Sequence, residues 1–465
     1  MRGQADRRKI LFVTTLGALM APYVFSSINT TLPSIGRDLS INAVLMNWIA
    51  LSSVLSAAMF IIPMGKIADI YGPQRVLLIA VTVHITASFL CGVSSSAAML
   101  IAFRALQGIC GTTMMVTTTA IISSAYPPGE RGQALGLNVA AIYIGLSLGP
   151  FIGGILTNNF GWRSVFFVVV PVGALMIALL LNLKQEWTVA QENRFDFKGS
   201  LIFSIGLFGL IYGLSTISSG RAGLTMVFIG LLALVVFGFY EAKTQDPVLD
   251  VRLLTSNRIL LFSSLAALIS YSATYAVSYM LSLYLQYIKG FPPQQAGLVL
   301  AIQPATQAFF SPLAGKLSDR AEPQKVASLG MLLTAMGLLS LSCLTPDTGQ
   351  HTVLGTLFIL GVGFAFFSSP NSLAIMNSVA KQHYGVASAI IAVSRSIGQT
   401  LSMGITTLTM AYYLGKAHID PLNYHKLLMS LRASFTILSV LCGLGIFASL
   451  ARGKTRSTAN MQGKE

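Results

Sequence analysis

The chain has 465 residues, of which 54% are hydrophobic and only 10% are charged, and it carries a formal net charge of +15. A soluble domain has about 25% charged residues, so this composition excludes an ordinary soluble protein. The basic residues are scattered over many short segments and are not gathered on one face, so the positive charge does not indicate a nucleic-acid-binding protein.

Long apolar runs follow one another along the whole chain. Most contain about 20 apolar residues, the length that crosses a ~30 Å hydrocarbon core as a helix. They lack the alternating pattern of barrel strands, and helices satisfy their own backbone hydrogen bonds in lipid. The sequence predicts fourteen membrane-spanning helices, at about 10–31, 43–64, 76–95, 98–123, 134–157, 164–183, 200–218, 223–241, 259–288, 294–315, 325–344, 352–376, 384–413 and 428–450.

Charged linkers divide these spans into groups. One linker, at 184–198, follows the sixth span, and another, at 241–258, follows the eighth. If the spans alternate in direction, most Lys and Arg residues fall on one side, which predicts that both termini are cytoplasmic. The expected organisation is an N-terminal six-helix bundle at 1–183, linkers and two extra spans at 184–258, a C-terminal six-helix bundle at 259–450 and a cytoplasmic tail at 451–465.

A short polar segment occurs twice, at matching places in the two six-span bundles. Residues 65–76 read GKIADIYGPQRV, and residues 315–326 read GKLSDRAEPQKV. Such a repeat is typical of a duplicated transporter, which handles its substrate between the halves. Asp69 and Asp319 stand at helix-to-loop boundaries, where a carboxylate can face the positive end of another helix, and Arg75 belongs to the charge network around Asp69. The alternative is a solvated turn with positive-inside charge.

Two arginines are expected inside spans, each with a glutamine nearby. Arg104 lies in the fourth span with Gln107 one turn on, and Arg395 lies in the thirteenth span with Gln399 on the same face. A charge inside a span usually faces a cavity or a partner. We expect Arg104 to be a cavity or gating residue that helps coupling or holds an anionic group. The alternative is an arginine that caps carbonyl groups of neighbouring helices. Arg395 is interpreted in the same way, with packing between the halves as its alternative.

Glycines recur every four residues in the fifth span, at Gly145, Gly149 and Gly153. Small residues at this spacing let two helix backbones approach closely. Pro150 removes one backbone donor and can bend the helix. The pattern predicts a tight helix contact on this face.

Taken in order, these motifs resemble the major facilitator superfamily, and specifically its drug:proton antiporter branch with fourteen spans. The resemblance rests on the repeated loop, on LxxxRxxQGxxG at 100–111, on GxxxGPxxGG at 145–154 and on GWR at 161–163. It implies an all-α integral membrane protein with two six-helix bundles and two extra central helices. It also implies that the Asp69 and Asp319 loops latch one state and that the fifth span is a hinge and seal between the halves.

The same resemblance implies that spans 1, 4, 9 and 12 line the substrate cavity. The candidate lining groups are Asn29, Arg104, Gln107, Tyr271, Tyr275 and Asn371, with aromatic surface from Phe364, Phe366 and Phe367.

No acidic residue falls in the middle of a predicted span. Exporters that exchange protons for cations usually need a buried carboxylate there, and Val24 stands where the antiporter branch usually has an aspartate. His84 is the remaining titratable candidate in a span, and the peripheral place that the resemblance gives its span favours a structural role. A neutral or anionic substrate therefore fits the sequence better than a cationic dye, and the proton is only a candidate coupling ion.

The sequence as a whole predicts a transporter and not an enzyme. We expect a monomeric exporter of small apolar or amphipathic molecules that works by alternating access in the cytoplasmic membrane, without cofactor or metal. A GxxxxGK[ST] nucleotide-binding loop does not occur, and the four cysteines lie in apolar runs without the spacing of a metal site. Two alternatives stay open, namely a proton-independent transporter or uptake system for an organic anion, and a transport-inactive membrane scaffold.

Overall fold

The computed structural model describes residues 2–182, 196–217, 221–244, 251–379, 384–415 and 417–453. Within these ranges every regular element is helical, which confirms the predicted fold class. Among the described residues, twelve helices are long and apolar enough to cross a membrane. The two remaining predicted spans are also helical, at Pro293–Leu300 followed by Ile302–Arg320 and at Tyr384–Tyr413, but they are not among these twelve. The count of fourteen spans stays a prediction.

Helix packing divides the chain into two compact units. The first comprises Met1–Ser204 and Leu285–Ala301, and the second comprises Ile205–Tyr284 and Ile302–Glu465. The domain boundaries expected at 183, 258 and 450 stay predictions, because helix contacts alone do not define linkers.

The first unit has an apolar core between four of its helices. The helices at the start of this unit are α1 (Arg2–Asp38), α2 (Ala43–Tyr71), α3 (Pro73–Gly92), α4 (Ala97–Ala125), α5 (Pro128–Phe160), α6 (Ser164–Phe167) and α7 (Val169–Leu181). Buried side chains of α1, α3, α4 and α7 meet in the core, among them Met20, Val81, Met114 and Met176. Gly72 has a φ of 87°, a conformation open to glycine, and it lets α2 turn directly into α3.

The rest of the chain continues the helical pattern. The next helix, α8, begins in the first unit and ends in the second, whereas α13 belongs to the first unit. The remaining helices are α8 (Phe197–Thr216), α9 (Arg221–Glu241), α10 (Val251–Ser256), α11 (Arg258–Thr274), α12 (Val277–Leu283), α13 (Pro293–Leu300), α14 (Ile302–Arg320), α15 (Pro323–Ser342), α16 (Gln350–Asn377), α17 (Tyr384–Tyr413) and α18 (Tyr424–Ala451).

The predicted ninth span is not one regular helix. It is interrupted between α11 and α12, and a π-helical turn at Tyr284–Ile288 follows. At the interruption, the Ala276 backbone N–H donates to the Ser402 hydroxyl of α17 at 3.0 Å. Interrupted spans are tolerated where a neighbouring helix satisfies the freed backbone groups, and π-helical turns often mark functional sites. The interruption therefore lies at the contact between α11 and α17.

Candidate substrate and gating site

The glycine face of α5 packs directly on α1 within the first unit. A Cβ atom placed on Gly149 would overlap Ser26 Oγ, and one on Gly153 would lie 2.8 Å from Ser27 Cβ. Gly145 approaches the α1 backbone in the same way, and its carbonyl oxygen accepts a hydrogen bond from Ser26 Oγ at 3.3 Å. The tight contact expected from the glycine spacing is therefore present, while its role as a hinge and seal stays a proposal.

Hydroxyl groups of α1 extend this contact past Pro150. Thr30 Oγ1 donates to the Pro150 carbonyl oxygen at 3.4 Å, and the hydroxyl oxygens of Thr31 and Thr157 lie 3.0 Å apart. Asn29, next to Thr30 on α1, is half-buried. Side-chain hydrogen bonds and close backbone approach coincide here, so α1 and α5 form a closely packed helix pair.

Arg104 is fully buried and its donors are used by neighbouring groups. Its Nε donates to the Ile49 carbonyl oxygen of α2 at 3.3 Å, one terminal nitrogen donates to Ser53 Oγ at 2.6 Å, and the other donates to Gln107 Oε1 at 3.0 Å. Gln107 in turn donates to Ser88 Oγ of α3 at 2.7 Å. This network joins α2, α3 and α4. It fits the alternative in which Arg104 caps groups of neighbouring helices, and a role of Arg104 as a cavity or gating residue stays a proposal.

His84 lies on α3 and is fully buried. Neither of its ring nitrogens has a hydrogen-bond partner among the described residues. Its own carbonyl oxygen accepts a hydrogen bond from Ser88 Oγ at 2.8 Å. His84 thus lies in the packed interior of the bundle, and its structural role stays a prediction.

The charged side chains Asp69 and Arg75 of the first repeated loop are exposed. Asp69 is exposed in the last turn of α2 and forms no hydrogen bond with another described residue, and Arg75 is exposed near the start of α3. Asp319 lies near the end of α14, but its side chain is outside the described residues. A carboxylate such as that of Asp69 is available to a helix end, as the latch hypothesis requires, and the latch itself stays a proposal.

Asn371 is buried on α16, and both ends of its amide are occupied. Its Nδ2 donates to the Ser263 carbonyl oxygen at 3.0 Å, and its Oδ1 accepts from Arg452 at 2.8 Å. Arg452 also donates to the Pro323 carbonyl oxygen at 2.9 Å and is 1% exposed. Burial lowers the pKa of Arg452 to about 10, so its guanidinium remains charged at neutral pH. Asn371 thus links α16 to α11 and to Arg452, the residue after α18, and a role for it in lining a cavity stays a proposal.

Aromatic side chains of α11 and α16 meet in the second unit. The rings of Tyr271 and Phe364 are 5.3 Å apart in an edge-to-face arrangement. Tyr275, one turn after Tyr271, is half-buried beside the interruption of the ninth span. Phe367 is fully buried, whereas Phe366 is half-buried. Tyr271, Tyr275 and Phe364 thus lie where α11 is interrupted.

Arg395 and Gln399 lie one turn apart on α17, and both are half-buried. Neither side chain has a hydrogen bond or an ion pair with a described residue. Between them in sequence, Gly398 packs against α11, because a Cβ there would lie 2.8 Å from Tyr271 Cβ. Arg395 and Gln399 therefore flank the glycine of α17 that packs on Tyr271, one member of the aromatic pair.

The predicted site residues fall into separate groups. Arg104 and Gln107 form one buried network, Asn371 belongs to another, and Tyr271, Arg395 and Gln399 share one region of the second unit. Sequence reasoning missed Ser402 and placed Arg452 in a cytoplasmic tail. A hydroxyl residue one turn beyond Gln399, on the polar face of α17, is a signal that would have singled out Ser402.

The long apolar helices and the paired, repeated loops define a multi-pass helical membrane protein of the transporter class. Its sequence matches the family model described as Major Facilitator Superfamily over residues 14–403 and again over 263–462, so the chain belongs to that superfamily. It is a secondary transporter and not an enzyme.

Curated relatives span most of the chain. It is 26% identical over 445 residues to the riboflavin transporter RibZ of Clostridioides difficile, which covers 95% of this chain and 96% of that protein. It is 29% identical over 432 residues to the multidrug resistance protein Stp of Mycobacterium tuberculosis, covering 90% and 80%. It is 26% identical over 415 residues to the tetracenomycin C resistance and export protein of Streptomyces glaucescens, covering 88% and 77%.

Solved structures share the fold. A bacterial homologue of the human lysosomal transporter Spinster, in an inward-facing and unoccupied conformation, superposes with a TM-score of 0.72 at 17% identity and covers 96% of this chain and 97% of that chain. A peptide transporter in complex with alafosfalin superposes with a TM-score of 0.69 at 13% identity, covering 95% of each chain.

Proposed function

We propose that this transporter is an exporter of small apolar or amphipathic molecules and belongs to the drug:proton antiporter branch with fourteen spans. The observation that carries the proposal is the close contact of Gly149 and Gly153 with α1, since it lies in the motif that the antiporter resemblance rests on. Two relatives whose names refer to multidrug resistance and to tetracenomycin export support the direction of transport. The relative named as a riboflavin transporter supports a substrate with a planar aromatic ring system.

The transporter works by alternating access in the cell membrane, and both termini are cytoplasmic. Asp69 and Asp319, with Arg75, form the cytoplasmic latch, and the α1–α5 contact around Gly145, Gly149, Pro150 and Gly153 acts as hinge and seal. The distribution of basic residues supports the orientation. Epitope tags after residue 465 and within 184–198 should both be accessible in inverted vesicles, and protection of either tag would contradict this orientation.

The test of function is a flux measurement with purified protein in proteoliposomes. An aromatic polyketide antibiotic, a flavin and a lipophilic cation are each followed with and without an imposed pH gradient, and empty liposomes serve as the control. We expect the antibiotic or the flavin to cross the membrane faster with protein than without it. The flux should be faster still when protons move down their gradient in the direction opposite to the substrate. If none of the three compounds moves faster than in empty liposomes, the exporter assignment is wrong.

A second candidate function is proton-independent transport of an organic anion. It is favoured by the lack of an acidic residue in the middle of any predicted span, because no carboxylate is then placed to exchange a proton for substrate. The same liposomes distinguish the two functions. Anion flux of equal rate with and without the pH gradient supports this second candidate.

A further inference from the structure

Arg395 differs from three other arginines in or beside the long helices, namely Arg104, Arg432 and Arg452. Arg104 donates to α2 and to Gln107, Arg432 donates to the Leu344 carbonyl oxygen, and Arg452 donates to Asn371 and to a backbone carbonyl. These three are held by groups of their own unit. Arg395 is half-buried on α17 and has no hydrogen bond or ion pair with any described residue.

The position of Arg395 makes snorkelling difficult. It is the twelfth residue of the thirty-residue helix α17, which places it about 16 Å along the helix axis from Tyr384 at 1.5 Å per residue. An arginine side chain can reach water from the last turns of a span but has more difficulty from this depth. A charge held this deep needs water, a partner or a ligand.

The surrounding helices provide no counter-charge. Helices α11, α16 and α18 pack against α17. Helix α8 also approaches α17, since a Cβ placed on Gly404 of α17 would lie 2.9 Å from Ile211 Cδ1 of α8. None of these four helices contains an aspartate or a glutamate. Helix α17 itself contains none. The guanidinium is therefore a positive charge without a carboxylate on any of these neighbours.

Polar groups without partners lie on α16, which packs against α17, and on α14, which packs against α16. Gln303 Oε1 on α14 and Ser368 Oγ on α16 are both more than nine-tenths buried, and neither has a hydrogen-bond partner among the described residues. Gly361 of α16 packs on α14, since its Cβ would lie 2.6 Å from the Gln303 carbonyl oxygen. Phe364 follows Gly361 by one turn, and its ring meets Tyr271. Buried polar atoms are nearly always satisfied, so unpaired ones on the helix that carries Phe364 and on its neighbour α14 indicate a place for a ligand.

We propose that Arg395, assisted by Gln399, binds an anionic or strongly polarised oxygen of the substrate, and that Tyr271 and Phe364 contact its planar aromatic part. The class of substrate is a planar aromatic molecule that carries a carboxylate, a phosphate or an enolate. The planar guanidinium presents paired N–H donors that match such a group, and the aromatic side chains supply apolar contact area. This inference rests on the proposed transport function, because it names the substrate class of the same transporter. The sequence suggested anion recognition for both Arg104 and Arg395, and the proposal assigns it to Arg395.

The test compares two dyes that share the xanthene ring system and differ in charge. Fluorescein is anionic at neutral pH, and the methyl ester of rhodamine is cationic. Binding of each is measured by fluorescence anisotropy with the full-length protein in nanodiscs, without any gradient. The wild-type protein should bind fluorescein at least about 10-fold more tightly than the rhodamine ester, as expected for one hydrogen-bonded charge pair.

Three variants locate the effect. Arg395→Ala should weaken fluorescein binding about 10-fold or more while the melting temperature stays unchanged, and Arg395→Lys should recover little, because lysine lacks the planar fork. Arg221→Ala removes the same charge from an exposed position at the start of α9 and should change neither quantity. Unchanged fluorescein binding in Arg395→Ala overturns the proposal. Equal loss of both dyes with a lowered melting temperature also overturns it, because Arg395 is then structural.

A lipid phosphate has the same chemistry as the proposed group, and the nanodisc composition separates the two sources. In phosphatidylcholine alone, the Arg395-dependent preference for fluorescein should be present in full. A preference that depends on Arg395 only when phosphatidylglycerol is added assigns Arg395 to a lipid headgroup and overturns the substrate proposal. Failure of the proposed exporter function can be distinguished from failure of this inference. A protein that binds fluorescein through Arg395 but does not transport it contradicts the exporter function and supports the binding role of Arg395.

Discussion

Gln324 repeats in the second unit the contact that Gln74 makes in the first. The Gln74 Nε2 atom donates to the carbonyl oxygen of Leu180 at 3.5 Å, and the Gln324 Nε2 atom donates to the carbonyl oxygen of Leu450. In both cases the glutamine follows the proline that begins a helix, and the acceptor is at the end of the last helix of the bundle. The last carbonyl groups of a helix have no partner within it, so each glutamine satisfies one of them.

The repeated loop is therefore also a structural device within each unit. Gln74→Ala and Gln324→Ala should each lower the free energy of unfolding by about 1 kcal/mol, since each removes one side-chain hydrogen bond to a helix end. The two effects should add in the double variant, because the two hydrogen bonds have no residue in common. Thermal unfolding in detergent measures this. A double variant that is no less stable than the wild type would contradict it.

The α1–α5 contact leaves no room for a side chain. Gly149→Ala should strongly destabilise the protein or abolish transport, because its Cβ would overlap Ser26 Oγ and lie 2.9 Å from the Tyr23 carbonyl oxygen. Gly136→Ala, on the same helix, is the matched control, since its Cβ would meet no atom within 4 Å. It should leave transport unchanged and raise helix stability slightly. Similar melting temperatures and flux for the two variants would show that the contact can open freely.

Arg452 should matter more for stability than its position at the chain end suggests. Arg452→Ala leaves Asn371 Oδ1 and the Pro323 carbonyl oxygen without their donor, and each buried unsatisfied acceptor costs about 1–3 kcal/mol. Arg452→Lys should restore only part of this loss. Arg258→Ala is the control, because Arg258 donates to the neighbouring Ala451 carbonyl oxygen from an exposed position. Equal melting temperatures for Arg452→Ala and Arg258→Ala would argue against the buried cluster.

The sequence predicted those features that follow from composition and spacing. Apolar run length predicted the helices, and the four-residue glycine spacing predicted a tight contact on that face of α5, without identifying α1 as the partner. The spacing of Arg104 and Gln107 also predicted that they share one face of their helix. It does not show which helix lies opposite that face. The opposite helix decides whether the arginine faces a cavity or caps a neighbour. Only the packing shows that Ile49 and Ser53 stand opposite Arg104.

Other features have no local signal. The interruption between α11 and α12 falls at Tyr275 and Ala276, and neither is a helix breaker like proline or glycine. The backbone N–H of Ala276 at the interruption donates to Ser402, which is more than a hundred residues away in sequence. Arg452 follows the last apolar run and therefore looks like part of a tail. Its buried guanidinium instead donates a hydrogen bond to the amide oxygen of Asn371 on α16, which is distant in sequence.

Asp69 provides a test of the latch. Asp69→Asn keeps the size of the side chain and removes the charge that would face a helix end. Folding should stay near normal, because Asp69 is exposed and has no described hydrogen-bond partner, while transport should fall strongly. Flux in proteoliposomes and melting temperature are measured together. Wild-type flux in Asp69→Asn would make Asp69 an ordinary loop residue.

Arg104 should now affect transport through stability and helix packing. Arg104→Ala leaves Ser53, Gln107 and the Ile49 carbonyl oxygen without their shared donor, so we expect a lowered melting temperature and loss of most flux for every substrate alike. Arg104→Lys should recover little, because one ammonium group cannot reach three acceptors arranged around a planar guanidinium. The comparison with Arg395→Ala is decisive, since that variant should lose anionic substrates selectively at an unchanged melting temperature. If Arg104→Ala instead keeps its melting temperature and loses only anionic substrates, Arg104 and not Arg395 recognises the anion.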